Sequence, residues 1–181
     1  MTATLEPEAQ DEDLDRLGDD ATTIRRVLWF AAAIVVLLLL RSFVAEPVRV
    51  RSDSMAPTLP PGAVLVVDKI TFHIREPRRG DIVVAHDPRT GQAIVKRVVA
   101  VGGDSVGIED GVLTVNGASV VESYIDNDNM EGFYFGPDVV PPHHVFLLGD
   151  NRDTSEDSRA YGPVSVDDIE GRVLVKIWPL G

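Results

Sequence analysis

The sequence contains no cysteine, so disulfide bonds, a thiolate nucleophile and zinc sites with cysteine ligands are all excluded. Basic residues are scarce, because 17 Lys and Arg stand against 29 Asp and Glu and the formal net charge is −12. Nucleic-acid binding depends on clustered basic residues that neutralise phosphates, so this composition argues against a nucleic-acid partner. No H-E-x-x-H motif occurs, which leaves a zinc protease without support.

The N-terminal region is strongly acidic. From Glu6 to Asp20 the sequence holds eight carboxylates against the single Arg16, with almost no large apolar residue. Such a segment cannot bury enough apolar surface to offset the entropy lost on ordering. We therefore predict that residues 1–24 form a disordered tail.

A hydrophobic run follows the tail. No charge interrupts it from Val27 to Leu40, and its apolar character resumes after an Arg-Ser pair and continues to Ala45. A helix from Val27 to Ala45 would be roughly 28 Å long, close to the thickness of a bilayer core. A buried helix of a soluble domain would have a polar face, and a cleaved secretory signal would follow a basic start; this run has neither. We therefore predict one transmembrane helix over residues 25–45.

The remainder, residues 46–181, predicts an all-β fold of antiparallel sheets. Short runs rich in Val and Ile alternate with Gly, Pro and Asp, and no sustained helical period occurs. Asp110–Gly111 and Asn116–Gly117 favour tight hairpin turns, whereas the polar stretch 124–142 favours a long loop. The clearest strand candidates are Ala63–Asp68, Asp81–Ala85, Ala93–Val101, Gly111–Val115, His144–Leu148 and Gly171–Ile177.

A first chemical candidate is the segment from Ser52 to Leu59, in which Ser52 and Ser54 flank one residue and a Pro-Thr pair follows. The simpler interpretation is a turn, because Ser, Asp and Pro all favour turns. However, Ser54 lies only ten residues beyond Val44, and an extended chain of that length spans at most about 36 Å. A nucleophile at Ser54 would therefore act close to the membrane surface.

A second candidate is the pair Lys96–Arg97 within an apolar strand. Neighbours on a strand point to opposite faces, so one of the two should point toward the buried side. A lysine in an apolar site has a lowered pKa, and its neutral amine can deprotonate a serine. The alternative is an edge strand, on which an outward charge prevents aggregation.

A third candidate is the segment Gly149–Arg159, which crowds acids, two arginines and hydroxyls together. It lacks the Gly at position six and the Glu at position twelve of an EF-hand loop, so calcium binding is disfavoured. Arg–carboxylate pairs that hold the loop together are the better interpretation. A Ser-His-Asp triad stays open, because the members of such a triad are remote in sequence.

These segments, in this order, resemble the bacterial type I signal peptidases. The family patterns S-x-S-M-x-P-T, R-G-D-I, K-R-V-V and G-D-N-R-D-x-S-x-D-S-R are met at 52–58, 79–82, 96–99 and 149–159. One departure is Asp53, which stands between the two serines where the family commonly has glycine. The Asp53 carboxylate either holds the lysine in its charged form, points into solvent or pairs with Arg51.

The resemblance implies a role for each matched residue. Ser54 would be the nucleophile and Lys96 the general base, while Ser52 and the Ser54 backbone N–H would form the oxyanion hole. Ser155 would orient the lysine amine, ion pairs would tie the active-site loops, and apolar pockets would accept small side chains at P1 and P3. The ion-pair residues would be Arg97, Asp150, Asp157 and Arg159, and the pocket residues Val48, Val50, Leu59 and Val95.

The implied function is a membrane-bound serine endopeptidase that removes N-terminal signal peptides from exported preproteins at Ala-x-Ala sites, without a metal or cofactor. Lys and Arg are nearly balanced about the hydrophobic run, so the sequence alone does not orient it. The resemblance implies a cytoplasmic N-terminus, one pass through the lipid bilayer and an extracytoplasmic peptidase domain over residues 46–181. Two alternatives are a self-cleaving Ser/Lys regulator and a membrane-anchored β-domain that binds a partner without catalysis.

Overall fold

The computed structural model describes residues 22–38, 45–125 and 132–178. The chain divides into two units, one ending at Ser42 and one running from Phe43 to Gly181. In the first unit, residues 22–38 form helix α1. This stretch contains neither Gly nor Pro and is rich in Ala and Leu, a composition that favours an uninterrupted helix.

The predicted transmembrane segment, 25–45, lies only partly within the described residues. Residues 25–38 are helical, 39–44 fall outside the description, and Ala45 begins a strand instead of ending the helix. Among the described helices, none has both the length and the apolar character needed to cross a bilayer. Of the predicted acidic tail, residues 1–21 lie outside the described part of the chain.

The second unit is built from eleven strands in the part of the chain that the structure describes, and every strand pair is antiparallel. Two single-turn helices, α2 (Thr71–Ile74) and α3 (Ser158–Tyr161), and a 3₁₀ turn at Val166–Asp168 interrupt them. The strands are β1 (Ala45–Arg49), β2 (Val64–Asp68), β3 (Ile82–His86), β4 (Ala93–Val101), β5 (Ser105–Glu109), β6 (Val112–Val115), β7 (Ala118–Ser119), β8 (Phe135–Val139), β9 (His144–Leu148), β10 (Val164–Ser165) and β11 (Ile169–Trp178).

The strands form two sheets. The larger has the order β1-β2-β11-β3-β4-β9-β10 and the smaller the order β7-β6-β5-β8. The C-terminal strand β11 lies between β2 and β3, and β4 lies between β3 and β9. The prediction that the peptidase domain is antiparallel and β-rich is therefore confirmed, whereas the edge-strand alternative for the strand that carries Lys96 and Arg97 is wrong.

Apolar side chains cover both faces of the larger sheet. Val83, Val98 and Leu147 belong to a cluster that packs near α3, while Met55 and Leu65 belong to a cluster beneath the segment that follows β1. A third cluster joins β9 of the larger sheet to the smaller sheet. Because β3 and β4 are covered on both faces, their sequences are nearly continuous apolar runs, and a basic residue within them is conspicuous.

All six strand candidates are present, with ends that differ by no more than two residues. The hairpin turns also agree, because Asp110 and Asn116 have φ values of 50° and 55° and each precedes a glycine with positive φ. The long loop predicted over 124–142 is wrong in part, because β8 lies within it and pairs with β5. This strand is a sheet edge of mostly exposed residues interrupted by Gly and Pro, so its sequence lacks the apolar alternation that marks a strand.

Candidate active site

The serine segment, Ser52–Leu59, connects β1 to β2 through two backbone turns. Ala56 donates its N–H to the Asp53 carbonyl at 2.9 Å, and Leu59 donates to the Met55 carbonyl at 2.7 Å. The side chains of Met55 and Leu59 are buried and hold the turn against the sheet, and Ser54 is buried as well. The hydroxyl oxygens of Ser52 and Ser54 lie 3.0 Å apart and share a hydrogen bond. The segment thus has an apolar base and presents its hydroxyls together.

The apolar base of the serine segment contains most of the predicted pocket residues. Val50 and Leu59 are buried in the cluster that includes Met55, and Val95 of β4 packs against it. Val48 lies on the edge strand β1, opposite Leu65, and is half-buried. The structure thus brings three of the four predicted residues into one cluster and leaves Val48 at its margin.

Lys96 lies in the middle of β4 with only 4% of its surface exposed. Its amine donates a 2.9 Å hydrogen bond to the hydroxyl of Ser155, which lies 59 positions later in the sequence. Burial lowers the pKa of the Lys96 amine; the carboxylate of Asp157 opposes this effect, and the nearby Arg159 reinforces it. A buried amine with a lowered pKa spends more of its time neutral, which is the state that accepts a proton.

The loop Gly149–Arg159 connects the lysine to the serine segment. Asn151 donates its N–H to the carbonyl of Ser54 at 3.0 Å, and Ser155 donates its N–H to the carbonyl of Asn151 at 3.1 Å. A Cβ on Gly149 would stand 2.2 Å from the Ser155 hydroxyl oxygen and 2.5 Å from the Ser54 carbonyl oxygen, so only glycine fits between them. Within the described residues no hydrogen bond joins Ser54 to Lys96 directly, and the two are linked through this loop.

The four residues that were predicted to form ion pairs do form two such pairs. Arg97 donates two hydrogen bonds to Asp150, at 2.8 and 2.6 Å, in a bidentate arrangement. Arg159 binds Asp157 at 2.8 and 2.9 Å and also donates to the carbonyl of Arg152 at 2.6 Å. Asp157 accepts the backbone N–H of Gly149 at 3.1 Å, which fixes the two ends of the loop to each other.

Burial of both Lys96 and Arg97 differs from the prediction that only one of these neighbours would be buried. The two side chains do leave opposite faces of β4. The sequence pattern did not indicate that the second face is covered as well, because the cover comes from Asp150 and Tyr124, distant in sequence.

Several residues of this site escaped the sequence analysis as individuals. Gly149, Asn151 and Arg152 lie within a segment that was singled out, but nothing in the sequence distinguishes their roles. Glu122 and Tyr124 lie in a stretch that resembles an ordinary polar connection, and no local pattern marks them. Asp53 is exposed, and no ion pair joins it to Lys96 among the described residues.

A cavity of about 440 Å³ opens beside the serine segment. Pro57 and Thr58 form one wall, and Ser123, Tyr124 and Ile125 form the other. Pro57 in its wall is thus three residues along the chain from Ser54. The ring of Tyr124, in the other wall, also lies against the guanidinium of the buried Arg97.

The arrangement fits a class of enzyme: a serine hydrolase whose base is a lysine, carried on a domain of antiparallel β-sheets. Comparison with known proteins identifies the family. Residues 23–178 match the family described as "Signal peptidase, peptidase S26". The chain belongs to this signal peptidase family.

Individual relatives agree with the family match. The chain is 36% identical over 169 residues to a signal peptidase I of Leptolyngbya laminosa, covering 89% of this chain and 82% of the relative. It is 38% identical over 167 residues to a signal peptidase I of Bacillus caldolyticus, covering 86% of this chain and 91% of the relative. A crystal structure of a signal peptidase I from Enterococcus faecalis V583 is 33% identical, with a TM-score of 0.50, over 56% of this chain and 99% of the other.

Family membership confirms two predictions made from the sequence. The chain is a serine endopeptidase of the signal peptidase I type, and its function is the removal of signal peptides. The resemblance that was based on four short motifs is thus confirmed over most of the chain.

Proposed function

We propose that this chain cleaves signal peptides from exported preproteins by attack of the Ser54 hydroxyl on the scissile carbonyl, with the Lys96 amine as general base. Ser52 and the backbone N–H of Ser54 supply the oxyanion hole, and Ser155 orients the amine. The observation that carries the proposal is the buried Lys96 amine, hydrogen-bonded to a loop that is itself bonded to the backbone of Ser54.

The first step transfers a proton. The neutral Lys96 amine accepts the proton of the Ser54 hydroxyl as the serine oxygen bonds to the substrate carbonyl carbon. The carbonyl π electrons move onto oxygen, and the hydroxyl of Ser52 donates to the developing anion; one such donor contributes about 3 kcal/mol in related enzymes. The ammonium of Lys96 then returns its proton to the departing amine, and the acyl-enzyme is left.

The second step reverses these roles. Lys96 is neutral again and accepts a proton from a water molecule that attacks the Ser54 ester. The serine oxygen leaves and takes back the proton, which restores the free enzyme. The hydrogen bond from Lys96 to Ser155 at 2.9 Å supports this cycle, because it restricts the amine to one orientation in an otherwise apolar site.

Substrate selection is assigned to the apolar residues beside the serine segment. Val50, Leu59 and Val95, together with Val48 at the margin, would accept small side chains at P1 and P3, which suits Ala-x-Ala sites. Arg97–Asp150 and Asp157–Arg159 would keep the surrounding loops in register, because buried bidentate pairs are directional.

The proposal extends to the location of the enzyme. The apolar side chains of α1 are exposed, Trp29 and Phe30 among them, and this supports burial of the segment 25–45 in a lipid bilayer. The N-terminus would face the cytoplasm and the peptidase domain the outside. Alkaline carbonate washing of membranes tests the anchorage, and the accessibility of the domain to added protease in intact and lysed cells tests the orientation.

Activity is tested on the full chain in detergent, with a preprotein that carries an Ala-x-Ala site. Wild type should release the mature product, and Ser54→Ala and Lys96→Ala should lose more than about a thousandfold in kcat. Ser119→Ala on β7 and Lys176→Ala on β11 are matched controls that should keep wild-type rates.

The alternatives predict different results in the same experiment. Equal release by wild type and both variants would contradict the Ser/Lys assignment. Cleavage of the chain itself without added preprotein would favour a self-cleaving regulator. Binding of a partner without any cleavage would favour a noncatalytic domain.

A further inference from the structure

The stretch 120–125, here called the clamp segment, leaves the smaller sheet after β7 and contacts the loop Gly149–Arg159. It begins with a backbone hydrogen bond of 2.8 Å from Val120 to Leu113 of β6. Within it, Glu122 is buried although the residues on either side of it are exposed. A carboxylate that points inward from an exposed connection needs a cationic partner.

The partner of Glu122 is Arg152. The Arg152 guanidinium donates to the Glu122 carboxylate at 2.6 Å, and the two side chains are 1% and 2% exposed. The same guanidinium donates to the carbonyl of Gly149 at 3.0 Å, and its other terminal nitrogen is buried without a hydrogen-bond partner in the described part of the chain. Glu122 therefore neutralises the buried charge of Arg152, and the same arginine holds the carbonyl of Gly149.

Tyr124 links the same carboxylate to a second arginine. Its hydroxyl donates to the Glu122 carboxylate at 2.5 Å, and its ring lies 3.8 Å from the centre of the Arg97 guanidinium. Burial raises the pKa of the Tyr124 hydroxyl, so the group stays a donor at any working pH. Arg97 in turn binds Asp150 through both of its donors.

These contacts close a ring around the peptide between Gly149 and Asp150. One arginine holds the carbonyl of Gly149, the other holds the side chain of Asp150, and the clamp segment holds both arginines. The carbonyl of Ser54 and the hydroxyl of Ser155 pack directly against Gly149. Movement of this peptide would therefore move the group that orients Lys96.

We propose that Glu122 and Tyr124 are positioning residues of the reaction. They act through Arg152 and Arg97 to fix the loop that carries Ser155, and no hydrogen bond or ion pair in the described part of the chain joins them to Ser54 or Lys96. The inference rests on the proposed function, since it concerns the orientation of its general base. The competing account is that the ring only stabilises the fold.

The test compares kcat and KM of the full chain in detergent on an Ala-x-Ala preprotein. Tyr124→Phe removes one hydroxyl and keeps the ring against Arg97, and Glu122→Gln removes the charge and keeps the shape. Each should lower kcat about tenfold or more with little change in KM, because a small misplacement of catalytic groups is costly. The matched control is Tyr134→Phe, at a tyrosine that is 67% exposed, and it should leave both constants unchanged.

Two further readouts separate positioning from fold stabilisation. In a Ser155→Ala background, Tyr124→Phe should cause little additional loss of kcat, since both changes act through the same contact. The acid limb of the pH profile of kcat/KM should also move to higher pH in Tyr124→Phe, because a loosened loop admits water to the Lys96 amine. If Tyr124→Phe changed only the stability of the fold, its effect would not be masked by Ser155→Ala, and the acid limb of the pH profile would not move.

The outcomes are distinct. Unchanged kcat in Tyr124→Phe, or full additivity with Ser155→Ala, would overturn the positioning role while leaving the proposed function intact. Failure of the proposed function would instead appear as an inactive wild type or an active Ser54→Ala. If Glu122→Gln does not fold, Tyr124→Phe still decides, because it preserves the Glu122–Arg152 pair.

Discussion

Gly149 and Ser54 are in direct backbone contact: a Cβ placed on Gly149 would stand 2.5 Å from the carbonyl oxygen of Ser54. The neighbouring hydroxyl of Ser155 leaves no more room on the other side. The close approach of Ser54 to the loop that holds Lys96 thus depends on the absence of a side chain at position 149.

Gly149→Ala should abolish measurable cleavage and lower the free energy of unfolding by about 1–3 kcal/mol, because the added methyl group forces the loop away from the serine segment. The matched control is Gly171→Ala, whose Cβ would stand 2.5 Å from the carbonyl oxygen of Asp68, away from the site. Chemical denaturation and specific activity of the folded fraction measure both effects. Equal specific activities for the two variants would refute the spacing role.

The pH dependence of kcat/KM should report Lys96. Since burial lowers its pKa below the ordinary lysine value of 10.5 and only the neutral amine accepts a proton, activity should rise with pH through this lowered pKa. The measurement is kcat/KM across the alkaline and neutral range with a fixed preprotein. An acid limb at the ordinary lysine pKa would mean that burial does not activate this amine.

Lys96→Met should be inactive yet more stable. Between the lowered pKa in the folded state and 10.5, the unfolded chain binds more protons than the folded one, so wild-type stability rises with pH in that window. Below the window, removal of the buried amine should add about 0.5–2 kcal/mol of stability, and the gain should shrink as pH approaches 10.5. Denaturant melts at several pH values, with Lys176→Met on β11 as control, measure this difference. A gain that does not vary with pH would exclude a lowered pKa.

Asp150→Asn should cost about 3–5 kcal/mol, because it leaves the Arg97 guanidinium buried without its counter-charge. The comparison is Glu46→Gln, which breaks a half-exposed pair with Lys69 and should cost less than about 1 kcal/mol. Urea denaturation at neutral pH measures both. Similar losses would show that burial of the pair contributes little.

Val50→Ala should relax selection at P1, with larger side chains accepted in place of alanine and a stability loss of about 1–2 kcal/mol. Val99→Ala is the matched control, since both valines are 4% exposed but Val99 belongs to the cluster under the smaller sheet. Competition between preproteins with Ala, Val and Leu at P1 measures the selectivity. The same selectivity in wild type and Val50→Ala would remove Val50 from the pocket.

The sequence predicts the parts of this molecule that depend on local pattern. Six strands and two hairpin turns follow from short apolar runs and from residues that tolerate positive φ. Five strands were not among the candidates. Strand β1 continues from a hydrophobic segment and β8 has no apolar alternation, β7 and β10 have two residues each, and β5 is a short run with a glycine at its centre. Local signals thus identify a strand when its residues form an apolar run long enough to stand out from its surroundings.

The residues of the site likewise divide into those that a local motif marks and those that only tertiary contacts define. Ser54, Lys96 and Ser155 were singled out because their segments resemble family motifs, and the structure brings Lys96 and Ser155 into hydrogen-bond contact. The clamp segment, with Glu122 and Tyr124, escaped prediction because its meaning lies wholly in partners 25 or more positions away. Pairing over such distances depends on tertiary packing, which a single sequence does not display.

The place of β11 in the larger sheet has a consequence for the order of assembly. The strand that separates β2 from β3 comes last in chain order among the eleven described strands, so it leaves the ribosome after the other ten. Until it arrives, the hairpin that presents Ser54 and the strand pair that presents Lys96 belong to two pieces of sheet with no strand between them. We therefore expect a nascent chain to hold Ser54 and Lys96 apart, and to gain cleavage activity only after β11 has paired with β2 and β3.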